Sequence, residues 1–168
     1  MIPGKLITGI LFLIAVCTTA MQKPQTYPVK RLYGYKQSII KGVKPQNKGA
    51  AVSEKQFVYL LIKQDSKIDV AHVWLNGAEV EFSVQDVKTP VVLDLENPTL
   101  NKTRHLTLVP KRDGHVQQVV LAGIKHTTSR AIPNHLKTFE LLIAYQHLGK
   151  TYYLGSKKMK PLPTEVNP

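Results

Sequence analysis

Residues 68–84, which read IDVAHVWLNGAEVEFSV, decide the fold. Asn76 and Gly77 both tolerate the positive φ angles of a tight type I′ turn, and apolar and polar residues alternate on either side of them. The stretch therefore predicts a β-hairpin in which residues equally distant from the turn lie opposite each other. One face of this hairpin is apolar and consists of these cross-strand pairs: Leu75 with Ala78, Val73 with Val80, and Ala71 with Phe82.

The opposite face of the hairpin carries Trp74, the only tryptophan of the chain. The same register predicts these pairs there: Trp74 with Glu79, His72 with Glu81, and Val70 with Ser83. Aromatic residues are enriched in binding surfaces, so we predict a contact site formed by Trp74, His72, Glu79 and Glu81. A second interpretation stays open, because β-sandwiches often bury one tryptophan, and a second layer or a basic arm could cover this face.

A second hairpin is predicted in residues 105–121, HLTLVPKRDGHVQQVVL, with its turn at Asp113 and Gly114. Val109 is expected to point away from the core. Pro110 has no amide hydrogen, so it predicts an edge strand or an early end to the pairing. The register predicts two pairs on the core face: Leu106 with Leu121, and Leu108 with Val119.

A third hairpin is predicted in residues 138–158, TFELLIAYQHLGKTYYLGSKK. Leu148 and Gly149, or a slightly longer loop, join its two strands. A two-residue loop predicts a ladder of aromatic and aliphatic pairs suited to the core: Tyr145 with Tyr152, and Ile143 with Leu154.

The whole chain has the pattern of an all-β protein, with short runs of valine, leucine, isoleucine and tyrosine separated by turn residues. We predict an immunoglobulin-like or related antiparallel β-sandwich of about seven to nine strands over residues 55–160, with further strands at 56–62 and 90–95. Residues 21–54 are rich in lysine, proline and glycine and predict a basic extended arm that can supply an edge strand. Residues 161–168, PLPTEVNP, predict a disordered tail.

The N-terminal residues predict export. The apolar run that begins the stretch 10–22, ILFLIAVCTTAMQ, is shorter than the roughly 18 residues that a membrane-spanning helix needs. Lys5 precedes it, and small residues ending at Ala20 follow it, which indicates a secretory signal peptide over residues 1–20. We expect a periplasmic, outer-envelope-associated or secreted protein with no transmembrane span in the mature chain.

Cys17, the only cysteine, leaves lipid attachment open as an alternative to cleavage after Ala20. Val16 departs from the small residue that usually precedes a lipidated cysteine. Cleavage after Ala20 would leave a mature chain without disulfides or a thiol nucleophile, so its core alone must hold the fold.

The chain is strongly basic, with a net charge of +12 at pH 7. The positive charge is concentrated at both ends, whereas residues 56–100 are acidic overall. Such a distribution either keeps the domain soluble or forms a positive face for an anionic partner. We expect the partner to be an envelope or extracellular protein, with an anionic glycan or lipid surface as the alternative, and no nucleic acid. Charge reversal at Lys157 and Lys158 is expected to break a protein pairing.

No catalytic or metal motif is present in the sequence. The six histidines lack the close, same-face spacing of a local metal site, although His126 and His135 flank one polar loop. Glu79 and Glu81 could serve a hydrolase as paired acids, but their pattern is more typical of solvated charge. The sequence therefore predicts a non-enzymatic binding or assembly module without a cofactor, which acts through a strand edge, the basic arm or the face around Trp74.

Overall fold

The structure is a computed structural model that describes residues 27–41, 52–97, 102–124 and 132–167. These residues are all-β apart from one short 3₁₀ helix, Asn134–Leu136, and they include no helix with the length and apolar character to cross a bilayer. The prediction of an all-β fold is confirmed. The strands in chain order are β1 (Val29–Lys41), β2 (Val52–Ile62), β3 (Asp69–Leu75), β4 (Ala78–Val87), β5 (Val91–Asn97), β6 (Lys102–Val109), β7 (His115–Ile124), β8 (Leu141–His147), β9 (Lys150–Ser156), β10 (Lys160–Pro161) and β11 (Glu165–Asn167).

Nine of the described strands form one mixed sheet in the order β10-β1-β2-β7-β4-β3-β8-β9, with β11 also paired to β1. β10 and β11 run parallel to β1, and the other neighbours are antiparallel. The sheet curls until β9 approaches β1. β5 and β6 form a separate two-stranded ribbon. The immunoglobulin-like sandwich is not confirmed, because the large sheet follows one continuous strand path.

The main core lies inside the curl. Alternate residues of the curled strands point inward, as the two-residue period of a strand requires. Met159, which lies between β9 and β10, joins this core and packs against Gly34 of β1. The other fully buried side chains of this inner core are Val58, Leu60, Ile62, Val73, Val119, Leu141, Ile143 and Tyr145.

A second core lies on the outer face of β1, β2 and β7, where the β5-β6 ribbon covers the sheet. Leu108 and Val109 of the ribbon are buried there beside Val116 of β7. The Tyr35 hydroxyl donates a hydrogen bond to the Leu108 carbonyl oxygen at 2.5 Å. The ribbon is therefore attached to the sheet by both apolar and polar contacts.

The hairpin predicted in residues 105–121 is wrong. β6 pairs with β5, whereas β7 pairs with β2 and β4, so neither predicted pair forms. Leu108 belongs to the outer core and Val119 to the inner core, and Val109, expected to point away from the core, is fully buried. β6 ends before Pro110, as predicted.

The two other predicted turns are confirmed. Asn76 and Gly77 have φ values of 50° and 84°, and Leu148 and Gly149 have values of 49° and 73°. In β8 and β9 the predicted pairs, Tyr145 with Tyr152 and Ile143 with Leu154, are present.

The hairpin at Asn76 keeps its predicted register only near the turn, where Leu75 lies opposite Ala78 and Trp74 opposite Glu79. The β3-β4 ladder contains only these two pairs. The predicted pair of His72 with Glu81 does not form, and the partner of His72 is Ala144 of β8, on the other edge of β3.

The two ends of the described chain differ from their predictions. β1, expected within an extended arm, is a 13-residue strand with neighbours on both edges. Part of the expected tail pairs with β1 through β10 and β11, and Leu162 between them is buried. The predicted signal peptide, residues 1–20, and Cys17 lie outside the described residues.

Candidate binding surfaces

The face around Trp74 is covered by a layer of apolar residues. Trp74 is only 1% exposed and packs with Leu142 and Ala144 of β8. Gly155 of β9 lets this layer approach closely, because a Cβ atom there would lie 2.6 Å from the Phe139 ring. The structure therefore agrees with the second interpretation, in which Trp74 is buried under other residues. The residues of the 3₁₀ helix and its flanks that cover this face are Ile132, Leu136 and Phe139.

His72 and Glu79 form a close pair beside Trp74. The Nδ1 atom of His72 lies 2.8 Å from the Oε1 atom of Glu79, whose side chain is 3% exposed. The imidazole also stacks on the indole, with the ring centroids 5.5 Å apart. The buried carboxylate and the indole therefore fix the orientation of a partly exposed histidine ring.

Tyr153 extends this aromatic row to β9, and the sequence analysis did not identify it. Its ring centroid lies 6.5 Å from that of Trp74, and it is 39% exposed. Tyr153 lies opposite Ala144, which is itself opposite His72. The correctly predicted β8-β9 register already placed Tyr153 next to the position of Ala144, but the neighbouring strand of β8 was not predictable from local patterns.

Glu81 lies on the exposed side of the same region. The two acids differ in environment, since Glu79 is buried and Glu81 is exposed. Residues 79–82 line a shallow depression of about 330 Å³. The structure thus brings His72, Trp74 and Glu79 together and places Glu81 two residues further along β4.

Lys157 and Lys158 lie on a separate surface, which we call the lysine strap and define as residues 157–160, that is, the link from β9 to β10 and the first residue of β10. Lys157, Lys158 and Lys160 are exposed, whereas Met159 is 1% exposed and lies in the inner core. The alternation of lysine and methionine in KKMK is the sequence signal of a strand-like segment with one face buried. The burial of Met159 was not predicted from the sequence.

Glu140, immediately before β8, holds the strap in place. Its Oε1 atom lies 2.8 Å from Lys36 Nζ, and its Oε2 atom accepts the backbone N–H of Met159 at 2.6 Å. The Lys36 hydrogen bond lowers the pKa of Glu140, with smaller contributions from the Met159 N–H and the charges of Lys36 and Lys158, against the opposing effect of burial. The same hydrogen bond raises the pKa of Lys36. Glu140 thus stays ionised and ties the strap to β1.

The strap also carries a local hydrogen bond. The Ser156 hydroxyl donates to the carbonyl oxygen of Lys158 at 2.9 Å. Beyond the strap, the backbone N–H of Leu162 donates to the carbonyl oxygen of Lys36 at 2.8 Å. The exposed lysines therefore project from a backbone that is fixed on both sides.

The histidines do not form a metal centre within the described ranges. No group of three metal-ligating side chains is present among those residues. His135 lies exposed in the 3₁₀ helix, and His126 lies outside the described residues. Whether the loop that they flank contributes to a site is therefore not tested by the described residues.

Comparison with known proteins identifies no relative: no family model matches the chain, and neither a curated protein nor a solved structure is significantly similar to it. The function of the chain must therefore be inferred from the surfaces that its own residues form.

Proposed function

We propose that this protein is an exported, non-enzymatic binding module that docks onto an acidic surface of an envelope or extracellular protein through the lysine strap. One observation carries the proposal: the strap presents Lys157, Lys158 and Lys160 to solvent, and within the described ranges none of them forms an ion pair. Glu140, whose pKa is lowered in part by the charge of Lys158, is already engaged with Lys36 and the Met159 N–H.

The fixed backbone of the strap favours specific binding. Ordering a flexible segment costs free energy on association, and a segment already held in one conformation avoids much of that cost. The buried Met159 and the contacts of Glu140 supply this order before any partner arrives. A group of like charges in fixed positions also speeds the encounter with a surface of opposite charge.

An exposed aromatic residue on β9, the strand that leads into the strap, favours a protein partner over a simple anion. Protein interfaces combine exposed aromatic groups with a charged rim. Tyr153 is exposed on β9, four residues before Lys157. The export part of the proposal is supported by the apolar leader, which is too short for a membrane-spanning helix and ends in small residues.

The test is charge reversal of the strap. K157E/K158E and the unaltered protein are immobilised side by side and exposed to a native envelope extract. The unaltered protein is expected to capture a partner saturably, and K157E/K158E is expected to lose it, because four charge units change on the contact surface. The matched control is K111E/R112E, which reverses two exposed charges at the β6-β7 tip and is expected to retain the partner. Retention of the same partner by K157E/K158E would refute the proposal.

Anionic glycan or lipid headgroups are the second candidate ligand, and the net charge of +12 favours them. Vesicles containing phosphatidylglycerol and immobilised heparin test this alternative. A headgroup binder is expected to lose affinity steeply with added salt and to respond similarly to K157E/K158E and K111E/R112E, because exposed charges at both places contribute to a diffuse field. If the strap is a specific docking surface, K157E/K158E should weaken binding and K111E/R112E should not.

A further inference from the structure

β4 and β9 each have one edge that pairs with no other strand in the described ranges. From Val80 onwards β4 pairs with β7 alone, because the β3-β4 ladder ends after two pairs. β9 is the last strand of the large sheet and pairs with β8 alone. An unpaired edge presents a row of backbone N–H and C=O groups to which another strand can add. We call these the β4 edge (residues 80–87) and the β9 edge (residues 150–156).

Both edges leave part of the core face of the sheet uncovered. On β4, Phe82 packs against the inner core, and Val84 is 38% exposed although it lies opposite Val119, a residue of that core. Directly opposed residues share a face, so Val84 belongs to the core face. On β9, Tyr152 and Leu154 pack against the same core and are half-buried. A strand added at either edge would therefore cover apolar side chains.

Each edge carries a single charge on this core face. Alternation along the strands places Asp86 on the same face as Val84, and Lys150 on the same face as Tyr152. Both charged residues are exposed, and neither forms an ion pair with a described residue. A charge in this position hinders the addition of a strand, unless the added strand brings a charge of opposite sign.

We infer that the protein assembles head to tail, with the β9 edge of one copy pairing antiparallel with the β4 edge of the next. The two edges match when Lys150 lies opposite Asp86. The core face then carries three complementary pairs: Lys150 with Asp86, Tyr152 with Val84, and Leu154 with Phe82. Opposite charges, and aromatic with β-branched side chains, are favourable when they lie directly opposite each other.

Other registers lose this match. A slip of two residues in either direction sets Lys150 opposite Val84 or Lys88. A slip of one residue turns the apolar side chains of one strand to the other face. The opposite charges thus select one register, as charged positions do in interfaces that exclude wrong partners.

The same charges make unlike edges the favoured partners. Two β4 edges, or two β9 edges, would set the charge on the core face opposite an apolar side chain or a like charge. The interface therefore joins two different surfaces of the same chain, and such a contact continues into an open chain of copies unless its rotation closes a ring. This inference goes beyond the proposed function and does not rest on it, because the lysine strap begins after the last pair.

Sedimentation equilibrium of the purified protein, from about 10 μM to about 1 mM, tests the assembly. The weight-average mass is expected to rise with concentration and to exceed the mass of a dimer, with a dissociation constant of about 0.1–0.5 mM for each contact. A mass that stays at the monomer value, or one that stops at the dimer value, would overturn the inference. No envelope partner is present in this sample, so a negative result leaves docking through the lysine strap unaffected.

Exchange of the two charges locates the interface. D86K and K150E are each expected to weaken association by roughly fivefold to tenfold, because each sets like charges opposite each other. The double variant D86K/K150E is expected to restore association, since the two charges are again opposite in sign. D94K on the β5-β6 ribbon and K111E at the β6-β7 tip are the matched controls at exposed residues and are expected to have no effect. Unchanged association in D86K and K150E, or no restoration in the double variant, would overturn the inference.

Amide hydrogen exchange of the unaltered protein keeps the test independent of how the variants fold. Backbone amides that gain a partner strand exchange more slowly. Protection is therefore expected to increase between about 10 μM and about 1 mM in both β4 and β9. An increase in only one of these strands, or in neither, would contradict head-to-tail pairing.

Discussion

The turns at Gly114 and Gly149 look alike in the sequence but do different things in the fold. Each glycine has a positive φ and lies between two apolar runs. At Gly149 the two runs pair with each other as β8 and β9. At Gly114 they separate, one into the ribbon and the other into the middle of the large sheet. A turn signal therefore predicts a change of direction, but it does not predict which strands become neighbours.

The two turns also differ in their surroundings. A Cβ atom on Gly114 would lie 2.2 Å from the carbonyl oxygen of Ile62, which is backbone and cannot move aside as a side chain can. A Cβ atom on Gly149 would meet nothing within 4 Å. Gly114 is thus required by a close approach of β7 to β2, whereas Gly149 is required only by its own backbone conformation.

We predict that G114A lowers the free energy of unfolding by about 3 kcal/mol or more, since it adds a clash to an unfavourable φ of 126°. G149A, the matched control, should lower it by only about 1 kcal/mol, the usual cost of a left-handed alanine. Urea denaturation monitored by tryptophan fluorescence measures both values. Equal losses in the two variants would show that the Gly114 environment has no special role.

Local pattern could predict the parts of the fold that depend on neighbouring residues. The turn at Asn76, the turn at Leu148 and the β8-β9 register all follow from side-chain period and turn chemistry. The strand order does not, because β7 lies between β2 and β4, which are distant from it along the chain. Its pairing depends on tertiary packing that no local window of sequence contains.

The same limit applies to the candidate sites. The pairing of Trp74 with Glu79 was predictable from the hairpin, but the layer over Trp74 comes from residues near the 3₁₀ helix, about sixty residues downstream. Lys157 and Lys158 were predicted as a charged surface, and Glu140, which fixes their backbone, was not. A long-range ion pair such as Lys36 with Glu140 leaves no periodic signal in the sequence.

Glu140 ties the open end of the β8-β9 hairpin to β1. Its pKa lies below the ordinary value of 4.5 in the folded protein, chiefly because of the Lys36 hydrogen bond. Its ionised form therefore stabilises the fold above pH 4.5, and this contribution is lost as the pH falls through 4.5 towards the lower folded pKa.

We predict that E140Q lowers the free energy of unfolding at pH 7 by about 1–2 kcal/mol, since the ion pair with Lys36 is lost and the hydrogen bond that Glu140 accepts from the Met159 N–H is weakened. The difference between E140Q and the unaltered protein should shrink as the pH is lowered from 5 to 3. Urea titrations at each pH measure it, and E81Q, at an exposed acid of β4, serves as the control with little change. A difference that is constant over this pH range would show that the charge of Glu140 does not stabilise the strap.

The β8-β9 hairpin and the β5-β6 ribbon each contain a close cross-strand pair of side chains. Tyr145 and Tyr152 stack with ring centroids 5.5 Å apart, and Tyr145 is 2% exposed. His105 and Asp94 are closer, at 2.6 Å, but their side chains are 70% and 61% exposed. We predict a coupling free energy of about 1 kcal/mol for the tyrosines and within about 0.5 kcal/mol of zero for His105 with Asp94.

Double-mutant cycles with Y145L and Y152L, and with H105Q and D94N, measure the two couplings by urea denaturation at pH 7. Tyr152 also packs edge-on against Tyr27, with the ring centroids 6.1 Å apart. Y152L removes this Tyr27 contact whether or not Tyr145 is also replaced, so its contribution cancels in the cycle. Burial, and not the shorter distance, should decide which pair stabilises its strands, since water competes for the exposed side chains of His105 and Asp94. A larger coupling for His105 with Asp94 would reverse this ranking and make the ribbon the more strongly specified of the two regions.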